Sequence, residues 1–325
     1  MHGLCRKKIN GVDMEINLKQ VQLLYNDGTY DLQMRAMWDE IFADEKKFAD
    51  YYFSEVVRRN KTLVALYDGK LIGMIHLNPY MVNCCGMPKK VYYIVGVAVD
   101  RRYRGMGIMK HIMNKAIEDM KKEGCPFTFL MPENENYYSG IGFRKLIDTV
   151  SVSYFADELK DYISGEIITL EPLSEASDLG QVSARIELLQ NSEYDIYTMC
   201  TREYLSDLIK QHKSLNGQVF TVRLNGNISG YFACDFYDNR ANIENIRFFG
   251  GLKRHFFDCM YTFLEQSEYK ELKITINKKY LDEYSASTRK NINKMYSKSH
   301  GYMIMFLDNN AVDIQKKIFS MDEIV

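Results

Sequence analysis

Between Arg102 and Gly107 the chain reads Arg102-Tyr103-Arg104-Gly105-Met106-Gly107. Two glycines one residue apart let the backbone turn tightly and approach a ligand closely. A continuous apolar run, Val91 to Val99, precedes the segment, and an amphipathic run follows it. A strand feeding such a turn into a helix N-terminus points several unpartnered N–H groups at one spot, which suits an anion such as a pyrophosphate. The helix dipole supplies only about 0.3–1 kcal/mol at an exposed site. Charge-assisted hydrogen bonds must therefore supply most of the grip, with Arg104 and Lys110 adding charge. Alone, the Arg-x-x-Gly-x-Gly spacing is weak evidence, and a solvated basic turn is the better account of it. Its flanks are what give it weight.

Those flanks are legible. Val91 to Val99 reads as a strand buried on both faces. Ile108, Met109, Ile112, Met113, Ala116, Ile117 and Met120 recur at helical spacing, with Lys110, His111, Asn114, Lys115, Glu118 and Lys122 on the other face. Gly124 and Pro126 stop that helix. Phe127 to Met131 reads as the next strand, and Phe143 to Phe155 as mostly strand. Upstream, Lys19 to Leu24 reads as a strand, Asp31 to Asp44 and Lys46 to Arg59 as helices, and Thr62 to Tyr67 and Lys70 to Leu77 as a hairpin joined by Asp68-Gly69. Downstream the order recurs. A strand at Ile167 to Leu170 precedes helices around Val182 to Leu189 and Arg202 to His212. A hairpin then closes at Asn225-Gly226, and Asn242 to Phe248 (strand), Leu252 to Glu265 (helix), and Leu272 to Ile276 and Tyr302 to Leu307 (strands) follow.

Composition bounds the class. The 325 residues suggest two domains, with 46% hydrophobic and 26% charged residues as in ordinary globular proteins. Lys+Arg number 42 and Asp+Glu 43, a net charge of −1, so no nucleic-acid or membrane partner is expected. No apolar run approaches the roughly 20 residues of a membrane span, and the polar Met1 to Gln20 lacks a signal-peptide core, so a cytoplasmic location is expected. The 7 Cys show neither a disulfide framework nor zinc-like spacing, and no metal is expected.

Residues Val97 to Ile108 resemble the acetyl-CoA-binding motif of the GNAT superfamily of N-acetyltransferases, which follows a strand and opens a helix. Tyr138-Ser139-Gly140-Ile141-Gly142-Phe143 is similar to that family's later Tyr-x-x-x-Gly-Phe element. The paired halves resemble the enhanced-intracellular-survival branch, in which a catalytic domain precedes a degenerate copy. The resemblance implies an α/β (α+β) fold of tandem GNAT-like domains, each a mixed, mostly antiparallel sheet flanked by helices. It divides the chain into a leader at 1–16, a catalytic domain at 17–155 and a degenerate copy at 156–325. It implies acetyl-CoA as cosubstrate. The backbone of Val97, Ala98 and Val99 would pair with the pantetheine arm, and Arg104, Gly105, Met106, Gly107, Ile108, Met109 and Lys110 would hold the pyrophosphate. Asn134 would contact the thiol end. A bulge near Gly96 would splay this strand from Phe127 to Met131.

The same resemblance makes Tyr138 the general acid. Proton transfer from a tyrosine to a CoA thiolate is uphill by roughly 2 kcal/mol at ordinary pKa values, tolerable within a catalysed step. Tyr137 beside it is the rival. A lysine-like amine is neutral in roughly one molecule in a few thousand at neutral pH, which adds about 4–5 kcal/mol to the barrier unless a base helps. Many family members use a Glu on the central strand, but Tyr92-Tyr93-Ile94-Val95-Gly96 carries no carboxylate. His76 on the neighbouring strand and the C-terminal carboxylate of Val325 are the alternatives. The expected reaction moves an acetyl group to a primary amine of a small molecule or lysine side chain by direct attack. The rivals are a tandem aminoacyltransferase using aminoacyl-tRNA and a non-catalytic acyl-CoA-binding module. In the second half, Arg247-Phe248-Phe249-Gly250-Gly251-Leu252-Lys253 keeps two glycines but loses their spacing. That half is expected to wall the cleft and support assembly, compatible with a homo-oligomer, rather than to bind CoA.

Overall fold

In the computed structural model, residues 4–9, 12–287, 296–299, 301–308 and 319–321 are described. The chain opens with β1 (Leu4–Ile9) and β2 (Val12–Asn17), an antiparallel pair where an irregular leader was expected. There follow β3 (Gln22–Tyr25), α1 (Asp31–Ile41), α2 (Lys46–Tyr51), β4 (Lys61–Tyr67), β5 (Lys70–Cys84), β6 (Met87–Val99), α3 (Ile108–Lys122), β7 (Phe127–Leu130), α4 (Asn136–Ser139), β8 (Arg144–Ile147) and β9 (Thr149–Phe155). The second half comprises α5 (Ala156–Leu159), β10 (Ile168–Leu173), α6 (Leu179–Glu193), β11 (Ile196–Thr198), α7 (Arg202–Ser214), β12 (Gly217–Leu224), β13 (Asn227–Tyr237), β14 (Arg240–Phe248), α8 (Phe256–Gln266), β15 (Glu271–Asn277), α9 (Lys278–Ser287), β16 (Ser297–Lys298), β17 (Tyr302–Phe306) and β18 (Phe319–Ser320). No helix among the described residues is long and apolar enough to cross a membrane.

Local chemistry explains the main elements. Asp68 and Gly69 have φ of 49° and 72°, and Asn225 and Gly226 have 50° and 80°, the left-handed pairs that a two-residue hairpin requires. The same conformation at Cys85 and Gly86, φ 52° and 87°, closes the β5–β6 hairpin. The stretch expected as one helix over Lys46 to Arg59 is α2, then a π-type turn at Tyr52–Val56 and a 3-10 turn at Val57–Arg59. In α3 the periodic residues Ile108, Ile112, Met113, Ala116, Ile117 and Met120 are all buried. Each Ile or Met among them contributes about 1.5–3 kcal/mol of burial.

Two sheets carry the fold, ordered β18-β11-β5-β6-β7-β17-β8 with β4 and β3 beside β5, and β10-β12-β13-β14-β15-β9-β16. Their mixed strands and flanking helices repeat one architecture twice. The two copies exchange strands. β9 pairs antiparallel with β15 in the second sheet, whereas β11 pairs with β5 and β17 lies between β7 and β8 in the first. Dividing the chain at 155/156 therefore leaves strands on either side of the cut in the other sheet.

Candidate active site

The first feature of the site is a strand that leaves its neighbour. Along β5 and β6 the register runs Met74↔Ala98 and then His76↔Val95, which places one extra residue in β6 at Gly96–Val97. Gly96 has φ +60°, and a Cβ there would lie 2.5 Å from Trp38 and 2.9 Å from His76. Glycine is required both by conformation and by space. On the other side, the parallel ladder with β7 holds only Tyr92↔Thr128 and Tyr93↔Phe129 and stops before this bulge. The two strands diverge from there, and the opening leads into a cleft of about 1700 Å³. Val97 and Val99 border it, while the Ala98 side chain is buried on the opposite face, so Ala98 offers only its backbone.

Gly105 and Gly107 follow, with φ of +81° and +80°. Gly107 is the N-cap of α3. The first N–H to bond back within the helix is that of His111, to the Gly107 carbonyl at 3.0 Å. The N–H groups of Ile108, Met109 and Lys110 lack an i−4 acceptor by construction. Arg104 donates from Nε to the Val99 carbonyl at 3.0 Å, which ties the loop to the end of β6. Arg102 is paired with Asp100 at 2.6 Å and is not a free phosphate partner. Met106 is buried in the core under α3 and anchors the turn rather than lining the cleft. Arg104, Gly105, Gly107, Ile108, Met109 and Lys110 all border the cleft.

Tyr138 stands on α4 at the far wall. Its carbonyl accepts from Ile141 N–H at 3.0 Å and Phe143 N–H at 3.2 Å, and its ring meets Phe143 edge-on with centroids 6.0 Å apart. Asn134 caps the same turn by accepting from Asn136 N–H at 3.0 Å. Tyr138 is half-buried, whereas Tyr137 is 61% exposed. Burial, with Glu133 nearby, pushes the Tyr138 phenol up to about 12, so it stays protonated at neutral pH.

Residues 27–146 match the family model of the acetyltransferase (GNAT) domain. That segment is a GNAT acetyltransferase domain. An uncharacterized N-acetyltransferase of Methanocaldococcus jannaschii is 29% identical over 115 residues, 33% of this chain and 50% of the relative. The match thus spans half the length of that curated relative. Among solved structures, a probable N-acyltransferase from Enterococcus faecalis superposes with a TM-score of 0.68 at 14% identity, over 88% of this chain and 72% of the other. Eis1 from Mycobacterium abscessus does so with 0.65 at 10% identity, over 91% and 75%. At such identities the likeness concerns the fold, and it extends over both GNAT-like halves.

The geometry corrects one expectation about the base. His76 is fully buried on β5, packed against Trp38 at 5.6 Å, Tyr52 at 5.6 Å and Phe53 at 5.9 Å between centroids. Neither ring nitrogen has a hydrogen-bond partner, and burial pulls its pKa to about 3. The ring is sealed from the cleft by the aromatic cluster and cannot reach an amine there. Val325 lies outside the described residues. The nearest described segment, Phe319 to Met321, borders the cleft.

The second GNAT-like half repeats the bulge of the first and fills the turn that follows it. Along β13 and β14 the register runs Tyr231↔Arg247 and then Ala233↔Glu244, again one extra residue, with Asn245 at φ +50° in the place of Gly96. The ladder with β15 stops at Ile243↔Ile274, just before that bulge. Where the first half opens a glycine turn, Gly250 donates its N–H to Glu193 Oε1 at 2.8 Å, and Lys253 pairs with Glu193 Oε2 at 2.7 Å. An internal carboxylate thus occupies the turn that corresponds to Gly105–Gly107. The altered glycine spacing hinted at this difference, but nothing in the sequence singled out Glu193. Nor did spacing reveal Glu244, which borders the cleft from β14, or the buried His212–Asp235 pair behind it.

Proposed function

We propose that this chain is an acetyl-CoA-dependent N-acetyltransferase that moves an acetyl group to a primary amine of a small molecule or lysine side chain. The observation that carries this reading is the bulge at Gly96, which parts β6 from β7 next to the Gly105–Gly107 turn. An extended amide-bearing arm fits along the exposed edge of β6 past Tyr93, and the N–H groups opening α3 suit a pyrophosphate. Val97 and Val99 would meet the arm through their backbone, and Lys110 supplies charge at the mouth.

Direct attack of a neutral amine on the thioester forms the N–C bond and then breaks the C–S bond. Tyr138 is assigned to protonate the departing thiolate. Its elevated pKa makes the transfer more uphill than for an ordinary tyrosine, by about 5 kcal/mol against a thiol-like leaving group. The thiolate's negative charge, once formed beside the phenol, favours a strong hydrogen bond that lowers this difference in the transition state. The second half walls the acceptor side of the cleft through Tyr237, Glu244 and Tyr280. The open glycine turn supports acyl-CoA use over an aminoacyl-tRNA donor, as does the net charge of −1.

Calorimetry with acetyl-CoA tests the first half of the proposal, with one site per chain expected. Free-thiol release across a panel of primary amines tests the second. Binding without thiol release to any amine would leave an acyl-CoA-binding module in place of an enzyme.

A further inference from the structure

An ammonium substrate must lose a proton before it attacks, and the first sheet offers no group for this. β6 carries no carboxylate beside the bulge, and His76 is sealed behind Trp38, Tyr52 and Phe53. The second half supplies one. Glu244 is the last β14 residue before the bulge at Asn245, and it borders the shared cleft. It makes no hydrogen bond or ion pair among the described residues. A ring nitrogen of His212 and carboxylate oxygens of Asp235 and Glu244 lie within 4.8 Å of one another. His212 and Asp235 are 0% and 5% exposed, and His212 Nδ1 bonds Asp235 Oδ1 at 2.7 Å. His212 Nε2 is enclosed with no hydrogen-bond partner.

We propose that Glu244 is the proton acceptor for the incoming amine and that the buried His212–Asp235 pair positions it, an assignment that rests on the acyltransferase reading above. A carboxylate left unpaired in so enclosed a place is costly unless a cation arrives to meet it. A substrate ammonium is such a cation. The charged groups acting on Glu244 are Asp235 from β13 and His212 from the last turn of α7, and Tyr237, also on β13, senses Glu244 together with Asp235, Glu45 and Arg240. Burial raises the Glu244 carboxyl above its ordinary value, and Asp235 adds to this while His212 opposes it. A carboxylate so raised is a stronger base than one in water, which is what proton abstraction near neutral pH calls for.

The protons balance. The ammonium gives one proton to Glu244, directly or through a water, and its nitrogen attacks the thioester carbon. The adduct's nitrogen, far more acidic than the free ammonium, loses a second proton to water. The C–S bond then breaks, and the thiolate takes the Tyr138 proton. One of the two nitrogen protons restores the phenol and the other leaves to solvent, giving an amide, a thiol and one free proton.

The experiment compares two probe nucleophiles by thiol release from acetyl-CoA, in the wild type and Glu244→Gln. Spermidine is protonated and needs a base, whereas hydroxylamine is neutral at mildly alkaline pH and needs none. The expected result is a loss of about 10²–10⁴-fold in kcat with spermidine, little change with hydroxylamine, and unchanged acetyl-CoA affinity in the folded variant. His212→Gln is expected to shift the acidic limb of the spermidine pH profile, a readout that packing alone does not move. Spermidine turnover at the wild-type rate in Glu244→Gln overturns the assignment. So does wild-type turnover of hydroxylamine without spermidine. Loss of spermidine turnover on deleting Ile324 and Val325, with Glu244→Gln fully active, gives the role to the C-terminal carboxylate. Loss of activity on chelation, restored by zinc, overturns it too and makes the three side chains metal ligands. No thiol release with either probe in the wild type overturns the transferase reading itself.

Discussion

Gly96→Ala isolates the feature on which the cofactor wedge depends. The substitution adds one methyl group at a backbone φ of +60° and places it 2.5 Å from Trp38 Cζ3 and 2.9 Å from His76 Cδ2. The left-handed conformation costs an L-residue about 1–2 kcal/mol. Overpacking a fixed aromatic cluster costs about 1–3 kcal/mol more, because Trp38 is itself packed against Phe42 at 4.6 Å and Tyr52 at 4.8 Å between centroids. The expected loss in unfolding free energy is therefore about 2–5 kcal/mol, a large part of a typical domain's total. If the chain relieves the clash by removing the bulge, β6 realigns along β7 and the opening narrows. Urea denaturation measures the first effect, and calorimetry with CoA at low temperature, where the variant stays folded, measures the second. Gly107→Ala is the control, since at φ +80° its Cβ meets only Leu18 Cδ1, at 3.5 Å. It should lose only the conformational part. Equal stability for Gly96→Ala and wild type, with equal CoA affinity, would refute both the packing argument and the role of the bulge.

Tyr138→Phe is expected to lower kcat by roughly 10²–10⁴-fold at nearly unchanged acetyl-CoA affinity, and a wild-type rate with chemistry limiting would remove the residue from the mechanism. Gly107→Glu should abolish CoA binding by calorimetry through strain and like charge, whereas Gly251→Glu should leave it intact, because Glu193 already occupies the corresponding turn. Two CoA molecules per wild-type chain would contradict that account. His76 titrates at about 3 in the folded chain against 6.5 when free, so its contribution to stability is complete above pH 6.5 and is lost as pH falls from there toward 3. Near pH 5 this amounts to about 2 kcal/mol, which His76→Met should abolish in urea titrations that compare neutral pH with pH 5.

The parts of the fold that read clearly from sequence are those set by neighbours along the chain. The periodicity of α3, the stop at Gly124 and Pro126, and the Asp68-Gly69 and Asn225-Gly226 turns all depend on local sterics and burial. The β5–β6 turn escaped because Cys85 is an unusual residue at φ +52°. The glycine loop and Tyr138 were found through a motif, and both border the cleft. Glu193, Glu244, His212 and Asp235 were not found, since each matters only through partners many residues away. His76 looked available because alternation along β5 does not say which face is covered by α1 and the turn at Tyr52–Val56.

The exchange of strands bears on what the second half does for the first. β7 forms one wall of the first wedge, yet it holds β6 by two residue pairs alone. Its other edge is held by β17 through four pairs, Met303↔Leu130 to Phe306↔Phe127. A chain ended after β9 would lose β17 and leave Phe127 and Phe129, both fully buried, at an open edge. It would also strand β9, which has seven pairs with β15 and two with β16. The half that matches the acetyltransferase family is thus not a separable unit, although that match ends at residue 146. Expressed alone, residues 1–155 should be aggregation-prone and should fail to bind CoA even with the glycine turn intact. A soluble fragment of that length with wild-type affinity would show that the wedge stands without β17. The second copy therefore acts on the first in two physical ways. It closes the edge of the cofactor sheet, and its own bulge sets Glu244 across the same cleft.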